Sequence, residues 1–241
     1  MVDPISLTVS SMQNDMQRMN VLANNSANAL TPGFKREIVA ASGQYGTMAA
    51  VPGVPGASVA ASTTSIVIDR TPGVPRKTGA SLDVALLGEG YLEVKTDKGP
   101  AYTRLGALHV DGQGRLATKD GHPVQGLGGE IYLTSSSPEI DKEGRLYEKG
   151  ALVGQFKTVA FDRAQTLLSI GGGLVVPQGD VAAAEEARPR ILQGHLESSN
   201  VDTTREMVTL VQTFRHFEAG VRVLQAYDDI RDKAFRNLGQ F

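Results

Sequence analysis

The stretch TTREMVTLVQTFRHFEAGVRVLQAYDDIRDKAFRNLGQF (203–241) decides how the rest of the chain is read. Met207, Leu210, Val211, Phe214, Phe217, Val221, Leu224, Tyr227, Ile230, Ala234 and Leu238 recur mostly at steps of three and four. That spacing lays an apolar stripe along one face of an α-helix. No proline interrupts the stretch, and Gly220 is the only glycine ahead of the closing residues. Thr203 and Glu206 predict a capping box, which starts the helix at 202–203. At about 1.5 Å per residue it reaches roughly 50 Å, long for a chain of this size. A stripe of that length is unstable alone in water and has to meet another one.

The other stripe lies at the opposite end of the sequence. Ile5, Val9, Met12, Met16, Met19, Ala23, Ser26 and Leu30 alternate steps of four and three, a near-heptad seam. The remaining face carries Asn14, Asp15, Gln17, Arg18 and Asn25. The helix is predicted to stop before Thr31-Pro32-Gly33, because the residue before a proline avoids the helical conformation. The economical arrangement pairs the two helices as an antiparallel coiled-coil arm. Such an arm leaves Leu22, Val211 and Val223 outside the shared seam, and exposed apolar positions of this kind mark protein–protein contact.

Between the helices the pattern changes. Residues 39–65 are rich in Ala, Gly, Ser, Pro and Val, including VPGVPG at 51–56, and read as a low-complexity connector. From 66 to about 195, short β-branched runs alternate with Gly, Asp and Pro turns: SIVID, LDVALL, YLEVKT, AYTRLGALHV, EIYLT, GRLYEK, FKTVAF and LVVP. An internal echo supports hairpins here. Val110-Asp111 … Gly114-Arg115-Leu116 returns thirty residues later as Ile140-Asp141 … Gly144-Arg145-Leu146. The expected fold class is therefore α+β, an all-β central domain with long terminal helices. Its parts are an N-terminal helix and turn (1–36), a connector (37–65), a β-rich domain (66–195) and a C-terminal helix (196–241).

Composition excludes several functions. A formal net charge of −2 provides no concentrated basic face for nucleic acid. No apolar run is long enough for a transmembrane helix, and the first twenty residues lack the basic and apolar regions of a cleaved secretory signal. The absence of cysteine rules out disulfides and thiolate metal sites. His109, His122, His195 and His216 are scattered, without zinc-ligand spacing. There is no GxSxG elbow and no phosphate-binding loop. The expectation is a non-enzymatic protein with no cofactor, metal or catalytic residue. Two other readings stay open: a secreted β-rich hydrolase with helical arms, tested at His109, and a monomeric binding module that clamps with its helices.

Four separated segments carry a family resemblance. Asn24-Asn25-Ser26-Ala27-Asn28-Ala29-Leu30-Thr31-Pro32-Gly33-Phe34-Lys35-Arg36 resembles the ANNxANxxTPGFKR signature of flagellar rod and hook proteins. Gly194-His195-Leu196-Glu197-Ser198-Ser199-Asn200-Val201-Asp202 resembles the GxLExSNVD element that introduces their C-terminal helix. TGASLDVALLGEGYLEV (78–94) and YTRLGALHVDGQGRLATKDGHPVQG (102–126) are similar to β-domain segments of the rod subunits. Ser26 stands where an aliphatic is usual, and Tyr91-Leu92-Glu93 where aromatic pairs are common.

The resemblance implies a structural subunit of the bacterial flagellar rod, which crosses the periplasm and serves motility. Proximal rod subunits fit best and distal ones next. The implied partners are further copies of the chain, other rod subunits and the flagellar type III export apparatus. The implied assembly residues are Ile5, Met12, Met16, Met19, Leu22, Asn24, Asn28, Pro32, Gly33, Phe34, Asn200, Val201, Asp202, Met207, Leu210, Phe214, Phe217, Val221 and Leu224.

Overall fold

The structure, a computed structural model, describes residues 4–42, 63–162, 167–178, 185–186 and 190–238. Most of the predicted connector, 43–62, lies outside the described residues. On either side of it, Glu37–Ser42 and Thr63–Ile68 pair as a two-stranded sheet. The fold is α+β, and it divides into two compact units.

One unit contains both helices, α1 (Pro4–Ala27) and α2 (Thr203–Leu238). They pack side by side and antiparallel: Asn25 reaches Glu206, Asp15 reaches His216, and Met12 lies against Gly220. The start of α2 differs from the predicted capping box. Asp202 is the cap, its Oδ1 accepting the N–H groups of Thr204 at 3.0 Å and Arg205 at 3.2 Å. Glu206 is instead fully buried and accepts from Asn25.

The face of α1 that meets α2 is also corrected. Thr8, Met12, Asp15, Met19, Leu22 and Ser26 form a covered row at steps of four and three, with Val21 and Asn25 buried beside it. Val9, Met16 and Ala23 point into solvent, Met16 with 52% of its surface exposed. Leu22, expected outside the seam, is buried. Asp15 and Asn25, expected on the solvent face, are buried because each has a hydrogen-bonding partner on α2. The matching row on α2 is Glu206, Leu210, Thr213, Phe217, Gly220 and Leu224. Val211 and Val223 stay outside it, as expected.

The other unit, built from 28–38 and 66–201, is made of short antiparallel strands. Among the described residues its largest sheet has six, in the order Leu167–Gly171, Leu174–Pro177, Gly99–Thr103, Tyr91–Thr96, Thr158–Ala160 and Glu185–Glu186. Strand alternation sends Leu92 and Val94 into a core with Val84, Leu116, Val124 and Leu146. Tyr91, on the other face, joins Val159, Phe161 and Val175. The run AYTRLGALHV, predicted as one strand, is two, Gly99–Thr103 and Leu108–Val110. The chain bends between them where Arg104 turns into the interior and Gly106 passes Val84 so closely that a Cβ would lie 1.6 Å from its carbonyl oxygen. EIYLT contributes only the end of a two-residue strand and a single bridge, Arg115 to Tyr132.

The sequence echo is a true structural duplication. Asp111 Oδ1 accepts from the N–H of Gln113 and Arg115, and its Oδ2 from Arg115 Nε at 2.9 Å. Asp141 repeats each bond with Glu143 and Arg145, the last at 2.7 Å. Leu116 and Leu146 follow as fully buried equivalents. The copies meet where Leu127 N–H donates to Gln155 O and Lys157 N–H donates to Gln125 O, around the bridge Gly126–Phe156. At the thirty-residue offset Leu127 corresponds to Lys157 and Gln125 to Gln155, so the two bonds are each other's counterparts.

Candidate assembly surface

Two features stand out: apolar rows left open on the helices, and a buried junction where the two signature motifs meet. On the helices, Leu210, Phe217, Val221 and Leu224 of α2 are partly covered, as are Ile5, Met12 and Met19 of α1. Met207, Val211 and Phe214 form a separate row, with 61%, 52% and 52% of their surfaces exposed. Val223, Tyr227 and Ile230 are exposed further along, on the opposite flank of the covered row. Given the pairing register, α2 beyond Asp228 also runs past the start of α1. Monomeric proteins rarely leave contiguous apolar rows of this kind in water.

The junction lies wholly in the β-rich unit, where 31–36 run beside 197–200. Gly33 N–H donates to Glu197 O at 2.7 Å, and Arg36 N–H to Asn200 Oδ1 at 2.7 Å. Asn200 Nδ2 in turn donates to the carbonyls of Asp69 and Thr71. Thr31 O accepts from Phe34 N–H, closing the Thr31-Pro32-Gly33-Phe34 turn. Gly33 has φ +73°, and a Cβ there would sit 2.3 Å from Arg104 O, so both conformation and space require glycine.

At the centre is Glu197, only 2% exposed. Lys35 Nζ donates to its Oε1 at 2.5 Å and Arg104 Nη1 to its Oε2 at 3.0 Å. Gly73 N–H adds a bond at 2.7 Å. Burial pushes the Lys35 ammonium below its ordinary value of 10.5, against the pull of Glu197. Arg104 also bonds the carbonyl of Gly88 and lies over the Tyr91 ring. Lys35 and Glu197 stand inside the quoted motifs, yet sequence reading missed their pairing with Arg104. No local spacing signals a contact between residues so far apart.

Of the assembly residues named from sequence, Phe34, Gly33 and Leu22 are buried, and Asn28, Pro32, Asn200 and Val201 partly so. Asn24, Met16, Asp202, Met207 and Phe214 are exposed. Asn25, not among them, is fully buried. No cluster that could hold a metal occurs among the described residues, and none of their helices is long and apolar enough to cross a membrane. His109 is an exposed strand residue, and His216 pairs with Asp15. A cavity of about 310 Å³ is lined by Arg70, Glu89, Tyr91, Arg104 and Phe161, with no histidine on its wall.

Comparison with known proteins matches this arrangement segment by segment. Residues 7–35 match the family described as flagella basal body rod protein. Residues 85–178 match the flagellar hook protein FlgE/F/G D1 domain, and 192–237 the flagellar basal body rod FlgEFG protein C-terminal family. The chain is 32% identical to the flagellar basal-body rod protein FlgF of Escherichia coli, covering 91% of each chain. It is 27% identical to FlgF of Mesorhizobium japonicum over 99% of each. It is 28% identical to FlgG of Bacillus subtilis over 92% of this chain and 94% of that one. The chain belongs to the flagellar basal-body rod protein family, and it is a structural, non-enzymatic subunit of the rod in the flagellar basal body.

Proposed function

We propose that this subunit occupies the proximal rod, in the manner of FlgF, and polymerises through its terminal helices. In this reading α1 and α2 pair as a coiled-coil arm that neighbouring copies and other rod subunits cover on its open flanks. The open row Met207, Val211 and Phe214 carries the proposal, since Leu210 and Phe217 beside it are already partly covered. Fully burying one such side chain contributes about 1.5–3 kcal/mol, so a few per contact suffice when the contact repeats along a polymer. The type III export apparatus is the further proposed partner, because an axial structure beyond the inner membrane has to receive its subunits from inside.

The test is Phe214→Asp at the chromosomal locus. The expected result is loss of rod incorporation and of motility, while the purified variant keeps the β-sheet circular dichroism of its parent. A motile strain with normal basal bodies would remove the basis for helix-driven assembly. The distal rod is the competing position, since FlgG relatives cover as much of the chain. Basal bodies imaged from a deletion strain separate the two: a proximal subunit's loss leaves no distal rod.

A further inference from the structure

We infer that two polar rungs, Asn25–Glu206 and Asp15–His216, set the register in which α1 and α2 meet. This rests on the reading of the helix pair as the assembly element. Asn25 Nδ2 donates to Glu206 Oε2 at 3.1 Å, and neither residue exposes any surface. Asp15 Oδ2 lies 2.5 Å from His216 Nδ1, with Asp15 buried. From one rung to the other, α1 steps back by as many residues as α2 steps forward, so both rungs specify the same antiparallel alignment.

The apolar contacts cannot do this. Met12, Met19 and Leu22 on one side lie at steps of seven and three, and Leu210, Phe217 and Leu224 on the other at steps of seven. Sliding one helix by seven residues brings that pattern back onto itself. Hydrophobic contact has no direction, and methionine adapts its shape to whatever it meets. The polar groups do discriminate. A seven-residue slip in one direction carries Glu206 from Asn25 to the level of Arg18 and Asp15 from His216 to that of Thr209, next to Met19 and Leu210 of the seam, so both carboxylates lose their partners. A buried polar residue at one seam position fixes register in this way in coiled helices. Register matters because it decides which exposed residues of α1 and α2 lie side by side for a neighbouring subunit.

The chain has no cysteine, so introduced pairs report cleanly. A Cβ built on Gly220 would lie 3.8 Å from Thr8 Cγ2, so Thr8→Cys with Gly220→Cys reports the native register. Thr8→Cys with Thr213→Cys, or with Tyr227→Cys, reports a slip of seven in either direction. In full-length protein under mild oxidation, only the native pair is expected to close. When Asp15, Asn25, Glu206 and His216 are all replaced by Leu, the slipped pairs should close at least about tenfold more than before. Retention of the native disulfide alone in that variant overturns the register proposal. Closure of no pair in the protein with its rungs intact overturns the helix pairing beneath it, a separate and distinguishable failure.

Discussion

Lys35 Nζ lies 2.5 Å from Glu197 Oε1, with 4% of one side chain and 2% of the other exposed to solvent. Arg104 holds the second oxygen of the same carboxylate, so one anion compensates two buried cations. Removing one member of a buried ion pair typically costs about 3–5 kcal/mol, because the charge left behind has neither water nor partner. Glu197→Ala should therefore lower stability by at least that range in urea unfolding. Replacing Lys35, Arg104 and Glu197 together by Met should recover most of it. If the single substitution costs under about 1 kcal/mol, water reaches the junction and the charges are not sealed.

Gly33→Ala tests the same junction through the backbone. The left-handed conformation costs a non-glycine residue about 1–2 kcal/mol, and the new methyl would press on Arg104 O as well. The expected loss is on the order of 2 kcal/mol or more, read in thermal and urea melts. Gly79, equally left-handed but with open space around it, serves as the control. Its alanine variant should lose only the conformational part. Equal losses at the two positions would mean that the close approach to Arg104 relaxes freely.

These two cases show where sequence reading stops. The helices, their length and their four-and-three spacing were legible, because the helical period is a local property. The Asp-x-x-Gly-Arg-Leu turns were legible too, since each Asp bonds N–H groups two and four residues on. The rotational phase of α1 was not. Asp15 and Asn25 read as solvent-facing until His216 and Glu206 are known to lie opposite. The Lys35–Glu197–Arg104 cluster was invisible for the same reason, although Glu197 and Lys35 sit within recognised motifs. Polar burial depends on distant partners, and a single sequence does not display them.

The duplicated turns carry a pH prediction. In Asp111 the N–H of Arg115 stabilises the charged carboxylate first, and the Arg115 guanidinium adds to it, so its pKa falls below the ordinary 3.8. In Asp141 partial burial opposes the charge, but the same bonds from Arg145 prevail, and its pKa is lowered too. A carboxylate with a depressed folded value contributes stability that is complete above 3.8 and disappears as pH falls through the lower value. Carboxyl carbon shifts in a nuclear magnetic resonance titration should give midpoints below 3.8 for both residues. The stability difference between the parent protein and Asp111→Asn should shrink across that acid window. Midpoints at or above 3.8 would show that the two turns do not hold their aspartates as charged acceptors.

Gly220 and Met12 offer a test of helix packing that leaves the polar rungs alone. A Cβ on Gly220 would meet Met12 Cγ at 3.0 Å and Sδ at 3.3 Å. Alanine at 220 asks little, because the methionine can shift and the helix gains about 0.8–1 kcal/mol of propensity. Gly220→Ala is thus expected to be neutral or slightly stabilising. Leucine asks for more room than one rotamer change provides, and overpacking of this kind costs about 1–3 kcal/mol. Met12→Ala removes the obstructing side chain, so the double variant Met12→Ala/Gly220→Leu should be more stable than the sum of the single effects. A coupling of about 0.5–3 kcal/mol in that cycle is the signature of direct contact. Strict additivity would mean that α1 and α2 do not touch at this level in solution. The antiparallel pairing on which both the open assembly rows and the register depend would then have to be abandoned.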